Sequence, residues 1–466
     1  MRPTALALAA VLILAGCTSQ TPRPAPVSEA PADPRQWDAG RSQPVADPLY
    51  PQHGNPGLDV LHYDLSLRWT PSSRTLEGTA QLRIRPTADA AEIKLDFMPY
   101  RLGDVRVDNA AVAGATVRGE KLIVPVAVRA EKPLTLRVTY QGTPRTTPMP
   151  SHRRDSEPLG LTVTADGSLW TMQEPYGAYT WYPVNDQPSD EALYDITVDV
   201  PDGWTAIAGG TPIGANRFRS TDPVASYLQT LAVGKYRKVT ATGPHGLPLT
   251  YWYRPGIDDK LLPSLKKSPS FIAFLAERFG PYPFPTGGIV LVDSASGMET
   301  QQMITMGGRG GSGGAGFEAD LLHEYAHQWF GDSITPATWN DLWLSEGWAM
   351  YAQLRWQFRK SSEDALEDYL RARDAALRAK LGPPAHPQAG NFAESNVYYC
   401  PAAMLKELND ALGDQKFYAL ATAWVQTQKN TQQTRASFTA FVNKQTGRDF
   451  TKLVDDWLDS PTTPKP

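Results

Sequence analysis

Between Leu58 and about Lys238 apolar and polar residues alternate with a period of two, and that period confines the segment to β-sheet. Tyr63, Leu65, Leu67 and Trp69 interleave with His62, Asp64, Ser66 and Arg68, which makes one sheet face apolar and the other solvated. Leu76, Gly78, Ala80, Leu82 and Ile84 repeat the pattern, as do Leu134, Leu136, Val138 and Tyr140, with Pro- and Gly-containing turns between the runs. The expectation is an all-β domain over residues 58–239, saddle-like or sandwich-like.

After about Thr240 the signals become helical. Phe271, Ile272, Phe274, Leu275 and Phe279 mark a helix that stops at Gly280-Pro281, and Ile289–Val292 reads as a short buried strand. A Gly-rich stretch from Gly307 to Gly316 follows, with the composition of a mobile loop. A chain of 466 residues that is 41% hydrophobic has enough apolar material for two or three cores, and the class is α+β multidomain, with a mainly helical domain over 240–466.

The amino end differs from both. Arg2, an apolar run from Ala5 to Leu14 and the sequence Leu14-Ala15-Gly16-Cys17 have the layout of an export signal and are too short to span a membrane. The pattern resembles a bacterial lipoprotein signal, with cleavage before Cys17 and acylation of its thiol; a plain secretory signal with an incidental Cys is the competing reading. The expected location is the bacterial cell envelope, with the lipid bilayer as a partner through Cys17. Residues 18–57, rich in Pro, Ala, Ser and Asp, read as a disordered tether. If Cys17 is lipidated, Cys400 has no partner for a disulfide. With 45 basic against 49 acidic residues, no basic track for nucleic acid is present.

The chemistry lies in Phe317–Gly331, read as a helix closed by Gly331, which carries His323-Glu324-Tyr325-Ala326-His327. Histidines four apart share one face of a helix and can share one ion, with Glu324 on the rim. Of seven histidines, only this pair has ligand spacing. Glu346, nineteen residues after His327 and at the start of a second helical pattern, supplies a third ligand. Two imidazoles and a carboxylate leave one position open for water, which is the catalytic arrangement of zinc.

These segments resemble the gluzincin aminopeptidases, the family of aminopeptidase N and leukotriene hydrolase. The resemblance is carried by residues 323–332 (HEYAHQWFGD), 339–347 (WNDLWLSEG) and 279–285 (FGPYPFP), and it extends over most of the chain from Leu58 onward. It implies a thermolysin-like catalytic domain behind the β domain and one zinc ion per chain. It also implies that Glu324 takes a proton from the attacking water and later delivers it to the leaving amine.

Further roles come from the same resemblance. Ser296-Gly297-Met298-Glu299-Thr300 is similar to the family's G-A-M-E-N segment, so Glu299 is expected to bind the substrate's α-ammonium while the backbone at Gly297 and Met298 lies along the peptide. Ser296 and Thr300 depart from that motif. Glu174 is matched to a second group on the ammonium, with Gln173 as the adjacent competitor because neighbouring strand residues face opposite ways. Val397–Met404 is similar to the Y-x-K-G-A segment, which makes Tyr398 the oxyanion donor, with Tyr399 as the alternative. There Cys400 and Pro401 replace the basic residue and Gly, and Pro401 would stand in the first turn of a helix over Ala402–Leu412; Cys400 is expected to pack rather than react.

The resulting expectation is a zinc aminopeptidase acting on peptides with a free N-terminus. A metallo-endopeptidase of the same fold and an inactive surface-anchored binding protein remain as alternatives, the first separated by whether Glu299 and Glu174 converge. Many family members continue into a large helical C-terminal domain; the end of this sequence at Pro466, 120 residues after Glu346, implies a short form with a more open cleft.

Overall fold

The period-two alternation is realised as a large twisted sheet. Its strands follow the order Thr211–Gly214, Arg217–Arg219, Glu191–Asp199, Leu58–Thr70, Thr75–Pro86, Leu134–Gly142, Arg101–Val107 and Ala110–Ala111 in the computed structural model, which describes residues 34–98, 100–153 and 156–465. Leu58–Thr70 runs antiparallel to its neighbour, with Tyr63 opposite Leu82 and Leu65 opposite Ala80, and parallel to Glu191–Asp199, with Leu65 opposite Ile196. This register places Leu65, Leu67, Trp69, Leu76, Ala80, Leu82 and Ile84 together in the core. A second sheet, Thr205–Ala208, Leu231–Gly234, Leu169–Met172 and Gly160–Val163, carries the chain past Gln173 and Glu174.

From Arg237 the chain enters another four-stranded sheet, ordered Arg237–Thr242, Pro248–Tyr253, Gly287–Val292 and Met303–Gly307. The last three strands run parallel to one another. Between and after these strands come helices α1 (Ser268–Phe279), α2 (Ala315–His327), α3 (Trp343–Gln357), α4 (Glu363–Leu381), α5 (Asn396–Leu412), α6 (Asp414–Gln428), α7 (Arg435–Thr446) and α8 (Thr451–Asp459), of which α2 lies against Met303–Gly307. One apolar cluster fills the β side and continues through Val290, Val292, Met298, Met303, Trp339, Phe392 and Val397; a second fills the helical side. Tyr398 packs against both, so it stands on the seam between the two cores.

Two expectations are corrected. Residues 37–57 are not part of a disordered tether. Trp37 stacks on His62 at 3.9 Å, Ser42 Oγ donates to the Glu191 carbonyl at 2.9 Å, and Asp47 accepts from the backbone N–H groups of Leu49, Tyr50 and Trp339. Tyr50 and His53 are buried. Composition missed this because polar caps on backbone groups, rather than a run of apolar side chains, hold the segment down. Cys17 and residues 18–33 lie outside the described residues. The helix expected over Ala402–Leu412 begins instead at Asn396, so Tyr398 and Tyr399 are helical and Pro401 sits in the second turn. Pro401 is accommodated by Gly347 of α3, where a Cβ would come within 2.5 Å of the proline Cβ. The missing side chain lets α3 and α5 approach each other directly behind Glu346.

The last helix is fastened by a buried ion pair. Arg378 and Asp374 of α4 are 2.8 Å apart with both side chains 0% exposed, and Arg378 also donates to the Trp457 and Ser460 carbonyls. Arg378→Met strands the Asp374 carboxylate and is expected to cost about 3–5 kcal/mol in denaturant unfolding, whereas the double replacement with Asp374→Leu recovers most of that loss. A single variant as stable as the wild type would show that the pair does not hold α8.

Candidate active site

Helix α2 delivers His323 and His327 one turn apart, with ring centroids 4.7 Å from each other, and α3 delivers Glu346 from its first turn. Glu346 Oε2 lies 3.1 Å from His323 Nε2 and 3.3 Å from His327 Nε2. Donors bound about 2.0–2.1 Å from a tetrahedral zinc stand about 3.3–3.4 Å apart, so the two edges that meet at Glu346 are already close to those of a zinc shell. Among the described residues, these three form the one group of His, Cys, Asp and Glu side chains close enough to share an ion. All three are buried, and the set contains no thiolate, which suits zinc over softer metals.

Beyond the ligands, His327 Nδ1 is 2.9 Å from Ser345 Oγ and 3.1 Å from the Phe330 carbonyl. A ring N–H directed to that carbonyl leaves Nε2 as the lone-pair nitrogen facing Glu346. The carbonyl is placed by the end of α2. After one π-type turn at Gln328–Asp332 the backbone leaves helical geometry at Phe330, and Gly331 adopts φ +125°, where a side chain would run into Ser345 Oγ. Gly331 therefore does more than stop the helix: it turns the chain so that Ser345 can reach the imidazole.

Glu324 is only partly buried. Its Oε1 lies 2.9 Å from the place where a Cβ on Gly297 would stand, so the carboxylate rests against the backbone of the 297–299 segment. Met298 pairs antiparallel with Thr305 through two backbone hydrogen bonds of 2.8 and 3.0 Å, which extends the sheet beyond Met303–Gly307 into the site. Thr300 satisfies the turn locally, donating to the Met303 carbonyl and meeting Thr305 Oγ1 at 2.9 Å. Gln328, just after the second histidine, ties this segment to α2: its Nε2 donates to the Glu299 carbonyl and its Oε1 accepts from the Gln302 N–H, both at 2.9 Å. Sequence reading gave Gln328 and Ser345 no role, although both stand inside the motif that identified the ligands.

The choice between Gln173 and Glu174 follows from hydrogen bonds. Gln173 Nε2 donates to the Ser226 and Gln229 carbonyls at 2.7 Å each, and its Oε1 accepts from Trp181 at 3.0 Å, so the amide is consumed in the β core. Glu174 points the other way. Burial and then the charges of Glu299 and Glu346 push its carboxyl well above the ordinary value. Glu299 is 4% exposed, and its Oε1 meets no hydrogen-bond donor. Burial raises the Glu299 carboxyl too, with His327 opposing and Glu346 adding to the rise. Glu346 behaves differently: burial alone would raise it, but His327 and His323 outweigh burial and hold it well below the usual carboxylate range. For Glu324, desolvation in the site raises the carboxyl above its ordinary value, with His327 opposing and Glu299 and Glu346 adding to the rise.

Tyr398 stacks on His323 with centroids 5.9 Å apart, and its hydroxyl accepts from Arg153 Nη1 at 2.7 Å. Burial keeps that hydroxyl protonated far above the ordinary tyrosine value. Tyr399 faces away, toward Tyr369 and Arg373 of α4, and is not part of the site. Cys400 is buried and its thiol pKa is pushed up by burial and by Asp374, so it packs and does not react.

Comparison with known proteins places these features in one family. The Peptidase M1 N-terminal domain pattern matches residues 60–232, and the Peptidase family M1 domain pattern matches residues 317–457. Aminopeptidase N of Streptomyces lividans is 26% identical over 436 residues, covering 86% of this chain and 50% of the relative. Aminopeptidase B of Homo sapiens is 27% identical over 337 residues, covering 63% of this chain and 49% of the relative. The chain thus spans about half the length of these relatives. A solved M1 zinc metallopeptidase from Deinococcus radiodurans is 28% identical with a TM-score of 0.79, covering 91% of this chain and 98% of that one. A mutant of that protein was solved with a Tyr-Ser-Ala substrate.

The folded protein is expected to hold one zinc per chain by elemental analysis. Ser345→Ala keeps all three ligands but removes one of the two groups that hold His327 Nδ1, and zinc affinity measured by competition with a chelating dye should fall about 10-fold. Unchanged affinity would remove Ser345 from the support of the metal.

Proposed function

We infer that this chain, which belongs to the peptidase M1 family, is a zinc-dependent aminopeptidase that hydrolyses the first peptide bond of peptides with a free amino end. The observation that carries the reading is the buried Glu299 carboxylate, with an Oε1 that lacks any donor, beside Glu174 and within electrostatic reach of the ligands. A buried carboxylate beside a partly buried one is favourable only when a cation replaces the lost water, and an α-ammonium is a cation of the right size with three donors. An endopeptidase would have no use for such a pocket, and an inactive binding protein none for the poised Glu324.

When bound, the zinc polarises the scissile carbonyl and lowers the pKa of a water. Glu324 takes the proton of that water as it attacks and passes it to the departing amine. Tyr398 donates to the oxygen that becomes negative as the carbonyl bond opens. Glu299 and Glu174 fix the register by holding the ammonium, and the backbone at Gly297 and Met298 offers the edge along which the peptide lies. We further infer that the mature protein is exported and held at a bacterial envelope membrane through an acylated Cys17, a reading that rests on the Leu14-Ala15-Gly16-Cys17 pattern. No helix among the described residues is long and apolar enough to cross a membrane.

Three measurements test these readings. Glu324→Gln is expected to keep its zinc and lose kcat by several orders of magnitude, because an amide cannot accept the proton; near-normal turnover with zinc bound would refute the role. N-acetylation of a good substrate should lower kcat/KM at least about 100-fold in the wild type, and by much less in Glu299→Ala, whose activity on the free amine is already low. Equal cleavage of blocked and free peptides, or internal cutting, would favour the endopeptidase. Mass spectrometry of the native amino end should find a diacylated Cys17; an unmodified end at another residue would sink the anchor.

A further inference from the structure

Resting on the aminopeptidase reading, we propose that Arg153 is a positioning residue that fixes the Tyr398 hydroxyl as a donor aimed into the site. Arg153 lies on the β side of the molecule and more than 240 residues before Tyr398, yet its Nη1 is 2.7 Å from the Tyr398 hydroxyl and 3.0 Å from the Ala393 carbonyl. Its guanidinium carbon also stands 5.4 Å from the centroid of the Tyr398 ring.

The donor inventory gives this contact its meaning. A guanidinium has N–H donors and no acceptor, so Tyr398 can only accept from Arg153. The one phenolic proton is therefore unavailable in that direction and must be offered elsewhere. On its other side the Tyr398 ring stacks on His323, a metal ligand, with centroids 5.9 Å apart. The phenolic proton is thereby left to the side on which the metal ligands stand, before any substrate arrives. A hydroxyl free to rotate would share its proton among water and several carboxylates, and each alternative would have to be given up in the transition state.

The position of Arg153 is fixed from both sides of the seam. The Phe392 N–H donates to the Pro150 carbonyl at 2.7 Å, which joins the segment leading to Arg153 to the loop before α5. Phe392 is fully buried, with its ring 5.1 Å from Trp339 and 6.0 Å from Tyr50. Ala393 adopts φ +54°, a left-handed conformation unusual for a residue with a side chain, and its carbonyl accepts from the guanidinium. A charge serving only solubility would need none of this.

The role is separable from a purely structural one because it acts through a single hydroxyl. Arg153→Met should lower kcat about 10- to 100-fold with KM within about 3-fold, a fraction of the roughly 100- to 1,000-fold expected for loss of one oxyanion donor in Tyr398→Phe. Arg153→Lys, which keeps a cation and a donor, should recover to within about 10-fold of wild type. In the Tyr398→Phe background Arg153→Met should change kcat less than about 3-fold, because the group it orients is gone. Calorimetry supplies a reading independent of turnover. A phosphinic dipeptide analogue, whose tetrahedral oxygens stand in for the oxyanion, should bind Arg153→Met at least about 10-fold more weakly than wild type, while free leucine, the product-like ligand, binds both within about 3-fold. Equal kcat losses in both backgrounds, a loss expressed in KM alone, or unchanged phosphinate affinity would overturn the proposal. Zinc-loaded wild type that binds the phosphinate but leaves every free-amine peptide intact would instead overturn the aminopeptidase reading, and the calorimetric comparison would still decide the role of Arg153.

Discussion

Four glutamates, Glu174, Glu299, Glu324 and Glu346, are gathered around two histidines at the seam of the two cores, and the rest of the structure answers to that excess of negative charge. In a low-dielectric setting such a cluster is unfavourable unless cations arrive to balance it. The crowding shows in the direction of their shifts: burial pushes the carboxyls of Glu174, Glu299 and Glu324 up, while the two imidazoles hold that of Glu346 down. A divalent metal at the imidazoles and an ammonium at Glu299 would relieve it in two different places. In the proposed aminopeptidase the site would receive two cations, with a peptide's first carbonyl between them. Register follows from electrostatics before any side-chain specificity is considered.

Holding like charges together requires elements that cannot relax apart, which explains how tightly the helical frame is built. Gly347 lets Pro401 press α5 against α3 directly behind Glu346. The turn at Gly331 brings Ser345 onto His327, and Gln328 binds α2 to the strand segment that carries Glu299. The Ser345 link joins the two helices that bear the ligands, and the other two join a ligand-bearing helix to the elements that carry Tyr398 and Glu299. A shift in one would be felt by the other, as expected of packed interiors, which transmit strain instead of absorbing it.

Much of this frame could be read from the sequence because local periodicity encodes it. The four-residue spacing of His323 and His327 needs only a helix, and the alternation around Tyr63 needs only a sheet. Glu346 required a guess that two helices pack, which the flanking Trp343, Leu344 and Trp348 made reasonable. Residues whose roles depend on tertiary hydrogen bonds were less legible. Gln173 and Glu174 could not be ranked until Gln173 was seen to spend both ends of its amide on Ser226, Gln229 and Trp181. Residues 37–57 looked like tether because Ser42 and Asp47 hold the backbone by capping, a contribution that hydrophobicity does not register. Pro401 suggested a helix start, and only the empty space at Gly347 shows why a proline is tolerated one turn further in. Arg153 carried no signal at all, since nothing local connects it with Tyr398.

That last case bears on how the two halves share the work. The metal ligands and Glu324 all belong to helices α2 and α3, so the capacity to activate water resides on the helical side. Glu174 and Arg153 come from the β side, one to a carboxylate pair and the other to the oxyanion donor. In the proposed mechanism the β side would therefore contribute to substrate register and to transition-state contact, while the metal ligands come from the helical side. Binding of the amine and stabilisation of the oxyanion are worth most when they occur in the same geometry, because energy gained at a remote group counts toward the rate only if it is realised as the carbonyl opens. A continuous apolar core running from the sheet through Met298, Trp339, Phe392 and Val397 to Tyr398 is the physical means by which that geometry is kept in common.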